Sequence, residues 1–156
     1  MNHPHQTKTN QILQLERYLP YRLSILSNRI SALISETYSD KFALSITEWR
    51  IMAVLGEYPG VSADEVSLKT QIEKSILSRA INKLLQRKLL EREFDPADKR
   101  RSMLRLTQTG LSVYDELVPV SYDYEQALLT CFSEAEREQF SELIDRLYQH
   151  AGTTLK

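Results

Sequence analysis

Three times along this 156-residue chain a serine is followed, three residues later, by a glutamate at the start of an apolar-periodic run: Ser45-Ile-Thr-Glu48, Ser62-Ala-Asp-Glu65 and Ser133-Glu-Ala-Glu136. A serine at a helix N-cap accepts a hydrogen bond from the backbone N–H three residues on, and the glutamate reaches back to the serine N–H. Such a pattern therefore dictates where a helix begins, and it predicts helices near 46–56, 62–70 and 133–150. Tyr58-Pro59-Gly60 breaks the chain between the first two. Upstream, Leu19, Leu23, Leu26, Ile30, Leu33 and Ile34 recur at helical spacing, and the run extends to about Phe42. Pro20 suits its first turn, where the missing N–H is no loss. A further helix fits 74–88. Leu89 to Phe94 and Met103 to Leu106 alternate as two short strands around a turn at Asp95-Pro96. Thr107 to about Phe132 reads as a long helix that Pro119 should kink.

The expected fold is thus mainly α (α+β): a helix, a three-helix helix-turn-helix core, a β-hairpin and two more helices. This is a winged helix-turn-helix with helices added at both ends. The composition is that of an ordinary globular chain long enough to bury a core. Residues 1–10 read as a polar tail, in which His3 and His5 bind at most adventitious metal. No apolar run approaches the length of a membrane span, and MNHPHQTKTNQ lacks the apolar stretch of a signal peptide. A single cysteine, Cys131, excludes an internal disulfide and fits a reducing cytoplasm. It is expected as a small buried apolar residue; the alternative, a redox switch, needs an exposed thiol with a lowered pKa.

Charge is not spread evenly. Between Lys69 and Arg105 eleven Lys and Arg face five Asp and Glu, in a chain whose net charge is −1. Such segregation is the footprint of a polyanion partner on one part of an acidic body. Within it, the helix at 74–88 sorts its side chains. Ile76, Leu77, Ala80, Ile81, Leu84 and Leu85 form one stripe; Ser75, Ser78, Arg79, Asn82, Lys83, Gln86 and Arg87 form the other. The polar stripe has no acid, whereas a solvated face generally mixes signs. Its side chains are the donors and acceptors used on phosphates and base edges. Lys74 stands at the start of this helix, and Lys99, Arg100 and Arg101 sit in the hairpin loop. Arg at a projecting tip can enter a narrow minor groove. Asp98 is expected to orient a neighbouring Arg, or to pair with the body, rather than touch DNA. The candidate DNA-binding residues are therefore Lys74, Ser75, Ser78, Arg79, Asn82, Lys83, Arg87, Lys99, Arg100 and Arg101.

Asp95-Pro-Ala-Asp98-Lys-Arg100-Arg-Ser-Met-Leu104-Arg-Leu106-Thr107-Gln-Thr-Gly110 resembles the D-P-x-D-x-R-x-x-x-L-x-L-T-x-x-G wing signature of the MarR family of bacterial transcription regulators. Ser75-Ile-Leu-Ser78-Arg79-Ala-Ile-Asn82-Lys-Leu84 is similar to that family's recognition helix, and Leu89-Leu90-Glu91-Arg92 to its exit into the wing. The resemblance covers about residues 15–150. It implies a homodimer whose terminal helices interleave, with 11–44 and 107–156 as the dimerisation region and 45–106 as the DNA-binding domain. The residues agree: Phe140, Leu143, Ile144, Leu147 and Tyr148 form an apolar stripe with no evident partner in the chain. Residues 110–156 carry three positive and nine negative side chains, which suits a body turned away from DNA.

Leu19-Pro-Tyr-Arg22-Leu-Ser-Ile-Leu-Ser-Asn28-Arg29, with Thr47-Glu-Trp49-Arg50, resembles a branch of the family whose members often govern aromatic-acid catabolism. That resemblance implies a small phenolic or aromatic carboxylate effector, or its thioester, with Trp49 stacking on a ring and Arg22 gripping a carboxylate bidentately. The alternative is that Trp49 is core and Arg22 pairs with an acid across the dimer. The leading expectation is a ligand-responsive DNA-binding repressor on a pseudo-palindromic operator. The second is a winged-helix adaptor that binds protein, which would not require an acid-free helix face. An enzyme is not expected: His3, His5 and His150 lie in end regions, Cys131 has no evident base, and no metal spacing, phosphate loop or G-x-S-x-G occurs. No cofactor is expected.

Overall fold

The computed structural model describes residues 11–98 and 100–154, so the expected tail at 1–10 and Lys99 lie outside the described residues. Six helices and a hairpin follow in the expected order: α1 (Leu19–Phe42), α2 (Ile46–Glu57), α3 (Ala63–Thr70), α4 (Lys74–Gln86), β1 (Leu90–Phe94), β2 (Ser102–Leu106), α5 (Gln108–Leu128) and α6 (Glu134–Thr154). The capping serines act as read. The Ser45 hydroxyl accepts from the Glu48 N–H at 3.1 Å while the Glu48 carboxylate accepts from the Ser45 N–H at 3.2 Å. Ser133 and Glu136 make the same reciprocal pair at 3.0 and 3.2 Å, which holds the Glu136 carboxyl below its ordinary pKa. Ser62 makes the forward bond, to the Glu65 N–H at 3.2 Å.

The strands pair antiparallel, with Leu90 opposite Leu106 and Phe94 opposite Ser102. A third, single-residue rung forms where Val61 bridges Leu104. The Leu104 N–H donates to the Val61 carbonyl at 2.8 Å, and Gly60 N–H to the Leu104 carbonyl at 3.0 Å. Gly60 reaches that position at φ 85°, where an L side chain would be strained. The Tyr58-Pro59-Gly60 break therefore does more than separate two helices: it delivers Val61 to the wing. One isolated residue carries no period-two pattern, so the sequence offered no signal for it.

The core lies in the helix-turn-helix unit. Ile51, Met52 and Leu55 of α2, Val66 of α3, Leu77, Ile81 and Leu84 of α4 and Leu104 of β2 are closed off from solvent, with Val113 and Leu117 of α5 sealing one side. Each such side chain contributes about 1.5–3 kcal/mol by burial. The helical body is bare by comparison. Of α1, only Tyr38 is buried; Leu19, Leu23, Leu26 and Leu33 stay about half exposed. The stripe Phe140, Leu143, Ile144, Leu147 and Tyr148 on α6 is equally uncovered.

Three expectations need correction. α5 continues through Pro119 but stops at Leu128, and a short 3-10 turn at Leu129–Cys131 leads to the Ser133 cap. Cys131 is exposed, not buried: that turn swings it to the surface instead of continuing the α5 periodicity. Ile76, read as part of the buried stripe of α4, is 43% exposed because it sits on the flank of the helix, one step outside the seam that faces α2.

Candidate nucleic-acid interface

The α3–α4 turn sets the angle of the exposed helix. Gln71 closes α3 in the left-handed region at φ 58°. Thr70 Oγ1 donates to the Val66 carbonyl at 2.7 Å and accepts the Ile72 N–H at 3.3 Å, while Ser67 Oγ donates to the Ile72 carbonyl at 3.0 Å. The turn is thus satisfied by its own side chains, and α4 leaves it with Leu77, Ala80, Ile81 and Leu84 buried. The opposite face presents Ser75, Ser78, Arg79, Asn82 and Lys83, all exposed. Arg79 Nε rests 3.4 Å from the Ser75 carbonyl, and Ser75 Oγ donates to the Glu73 carboxylate at 2.7 Å. At the edge of this face, Arg79 and Lys83 line a 290 Å³ cleft with Ser45, Thr47 and Ile76. Thr47 and Ile76 were not among the sequence candidates. The helical wheel could have found Ile76, since it lies beside Arg79 and Lys83 rather than diametrically opposite Ser75.

The wing loop is tied by two aspartates. Asp95 Oδ1 accepts the Ala97 N–H at 2.9 Å, and Asp98 Oδ1 accepts the Arg100 N–H at 3.0 Å. The backbone closes the loop between Asp95 N–H and the Arg101 carbonyl at 2.9 Å. Asp98 thus orients Arg100 through its backbone. Arg100 and Arg101 are exposed, and with Asp64 and Glu65 at the start of α3 they border a 620 Å³ cleft between wing and helix.

Two candidates have other occupations. Lys74 lies 3.5 Å from Asp64, an exposed pair that contributes little and yields readily to a phosphate. Arg87 does not lie on the free face. Its guanidinium donates to the Phe42 carbonyl at 2.6 Å and the Ala43 carbonyl at 3.0 Å, and stands 4.0 Å from the Glu48 carboxylate. The polar stripe read from sequence includes position 87, but by the last turn the helix has rotated it toward the end of α1.

Arg22 and Trp49 are not brought together. Trp49 is half-buried between Tyr38 and Tyr114, with ring centroids 6.1 Å away on each side. Burial in that cluster raises the Tyr38 pKa, with Arg50 opposing. Arg22 and Tyr38 lie on the same helix, and at 1.5 Å per residue they are separated by about 24 Å. Arg22 instead lines a 520 Å³ cleft with Arg29, Tyr21, Leu26 and Phe140. The sequence reading placed both residues at one junction. Helices α1 and α2 do meet, but over the C-terminal half of α1, where the Arg50 guanidinium donates to Ser31 Oγ at 3.4 Å, nine residues beyond Arg22. Among the described residues no group of three His, Cys, Asp or Glu is placed to hold a metal ion, and no helix is long and apolar enough to cross a membrane.

A three-helix unit with a two-stranded wing, flanked by long helices with open apolar faces, is the architecture of a winged-helix protein with an appended helical body. The family model of the MarR family matches residues 44–101, which run from the end of α1 to the wing loop. A MarR/EmrR family transcriptional regulator from Acinetobacter sp. ADP1 superposes with a TM-score of 0.83 at 28% identity, over 91% of this chain and 100% of that one. Bordetella bronchiseptica BpsR, whose DNA binding is regulated by 6-hydroxynicotinic acid, superposes with a TM-score of 0.74 at 25% identity, over 83% of this chain and 98% of that one. The HTH-type transcriptional regulator BilQ of Clostridium symbiosum is 27% identical over 60% of this chain; the match spans 65% of its length, just under two thirds. Residues 44–101 thus match the MarR family, and the chain as a whole has the fold of MarR/EmrR family regulators.

Proposed function

We propose that the protein is a dimeric DNA-binding transcription regulator, a repressor released by an aromatic carboxylate or its thioester. The observation that carries the DNA-binding part is the acid-free face of α4, with Ser75, Ser78, Arg79, Asn82 and Lys83 all exposed, beside a wing tipped by Arg100 and Arg101. Residues 45–106 form the reading head, and 11–44 with 107–156 the dimer body. The open apolar faces of α1 and α6 support a second copy as the occupant: a 21-residue helix has little stability without a packed face. A dimer seated across a promoter would exclude polymerase from it, which is the basis for repression.

Such a dimer should select a pseudo-palindromic duplex from a random library, with half-sites about one helical turn, roughly 34 Å, apart. Log K should fall with log salt at a slope of several units, because several Lys and Arg per subunit replace counterions. Arg79→Ala or Asn82→Ala should cost roughly 1–3 kcal/mol on the selected site and relax discrimination there, while Lys83→Ala should weaken all sequences alike. A flat salt dependence measured by fluorescence anisotropy would reject the interface, and with it leave the protein-binding adaptor as the surviving alternative.

The effector part rests on the cleft at Arg22 and Arg29. These two cations lie on one face of α1 beside Tyr21, Leu26 and Phe140, and with the Glu16 carboxylate also in the lining the cleft keeps an apolar floor and one net positive charge for a planar anion. That BpsR responds to an aromatic carboxylic acid favours the same ligand class here. Trp49, held between two tyrosines, serves the core in this reading. The ligand can shift the protein only by its difference in affinity between DNA-competent and incompetent shapes, and DNA must then weaken the ligand by the same factor. Titrating benzoates and hydroxycinnamates into the protein–operator complex should release DNA, and Arg22→Ala should need at least about tenfold more ligand, the loss of one Arg–carboxylate contact. An Arg22→Ala response equal to wild type would move the site elsewhere.

A further inference from the structure

We infer that Arg87 is a positioning residue: it fixes the pitch of α4 on the helical body, and through that the spacing of half-sites the protein accepts. The inference rests on the DNA-binding reading for its second half only. α1 ends at Phe42, and its last carbonyls have no helical N–H to receive. Ala43 turns the chain at φ 51°, and its N–H is spent on Ser39 and Tyr38. The Phe42 and Ala43 carbonyls therefore point outward at the negative end of a 24-residue helix. The planar fork of Arg87 takes both, at 2.6 and 3.0 Å, with the Glu48 carboxylate 4.0 Å behind it.

Glu48 is itself held. It is buried and is the capping glutamate of α2, bonded to the Ser45 N–H. One guanidinium thus joins the end of α1, the start of α2 and the end of α4. Among the described residues its two bonds are the hydrogen bonds that tie α4 to α1. The bonds act at the last turn of α4, whereas Ser75, Ser78 and Arg79 lie in its first two turns. A small rotation at the Arg87 end therefore displaces the reading end laterally. In a dimer the body is shared, so such a displacement changes the distance between the two heads.

Removing the fork should leave the core of α4 packed and free its pitch. If only about a tenth of the heads are then competent at a given moment, affinity for the preferred site falls about tenfold. Sites with one central base pair added or removed should lose much less, so discrimination by spacing falls by a similar factor. Arg87→Lys, which keeps the charge and can reach one carbonyl, should recover part of it.

Two measurements decide this. The first compares wild type, Arg87→Ala and Arg87→Lys on the library-selected duplex and on its one-base-pair insertions and deletions. Loss of spacing discrimination with an unchanged salt slope is expected. A loss uniform over all duplexes, with a lower salt slope, would overturn the inference and make Arg87 a phosphate contact. The second needs no DNA. Spin labels are placed by Glu36→Cys on α1 and Ser78→Cys on α4, in Cys131→Ser protein diluted with unlabelled chain. The α1–α4 distance distribution should be broader in Arg87→Ala than in wild type and intermediate in Arg87→Lys, and superposable distributions would overturn the inference. If wild type selects no duplex at all, the DNA-binding reading falls, while the distance widths still decide whether Arg87 sets the pitch.

Discussion

Gly110→Ala is expected to destabilise the protein by about 3 kcal/mol or more, at the upper end of what overpacking costs. A Cβ at position 110 would stand 2.1 Å from the Leu89 carbonyl oxygen and 3.1 Å from its carbon, with Leu106 Cβ 3.4 Å away. The first neighbour is backbone, so no rotamer change relieves the clash. That same carbonyl accepts the Thr107 N–H at 3.0 Å. Thr107 Oγ1 in turn donates to the Lys88 carbonyl at 2.6 Å and accepts the Gly110 N–H at 3.0 Å. Lys88 sits in the left-handed region at φ 58° to present its carbonyl there. The end of α4, the end of β2 and the start of α5 thus close on one joint, and a methyl group forces all three apart. For a chain of this size the melting temperature should fall by roughly 6–12 °C at fixed protein concentration. Gly152→Ala is the control, since a Cβ there meets nothing within 4 Å. A Gly110→Ala melt within about 2 °C of wild type would show the joint to be slack.

The double variant Leu143→Glu, Leu147→Glu is expected to be a monomer. These two side chains are 46% and 43% exposed in the single chain and lie one turn apart at the centre of the α6 stripe. Near its start α6 is held by a ring contact between Phe132 and Phe140 at 5.5 Å and by the Arg137 Nε donating to the Leu129 carbonyl at 3.1 Å, while the stripe at its centre stays open. If the stripe meets a second copy, two carboxylates per subunit would be trapped in an apolar seam, which is more costly than leaving the dimer apart. Sedimentation should then give the monomer mass, and circular dichroism should show partial loss of helix as α6 frays. DNA affinity should drop by at least about a hundredfold, because the second head no longer binds as a tethered partner. Glu142→Gln, on the polar side of the same helix, should change neither. A double variant that remains a dimer would place the interface elsewhere.

Local chemistry made much of this fold legible. Ser45 and Ser133 announced their helices through reciprocal bonds made within four residues. The wing was visible in the alternation around Asp95-Pro96, and the Asp98 carboxylate does orient a neighbouring Arg, by accepting the Arg100 N–H. The five polar positions from Ser75 to Lys83 emerged on one open face because helical periodicity alone sorts them once Leu77, Ile81 and Leu84 are buried.

The errors share a cause. Arg87 continues the polar stripe in sequence, but which acceptors stand near the end of α4 depends on where α1 stops and how α2 is set against it. Arg22 and Trp49 look like partners because each suits an aromatic acid, yet a helix is rigid along its axis and holds them apart. The exposure of Cys131 follows from a turn that ends α5 early, and the Val61 rung from a glycine at positive φ that three elements separate from its partner strand. The sequence by itself determined the helices, the hairpin and the sign and grain of the reading face, because these depend on neighbours within about one turn of chain. The tertiary structure alone decided which cations remain free and which bolt the molecule together, because a guanidinium is claimed by whichever carbonyls packing brings within 3 Å, however distant in the chain.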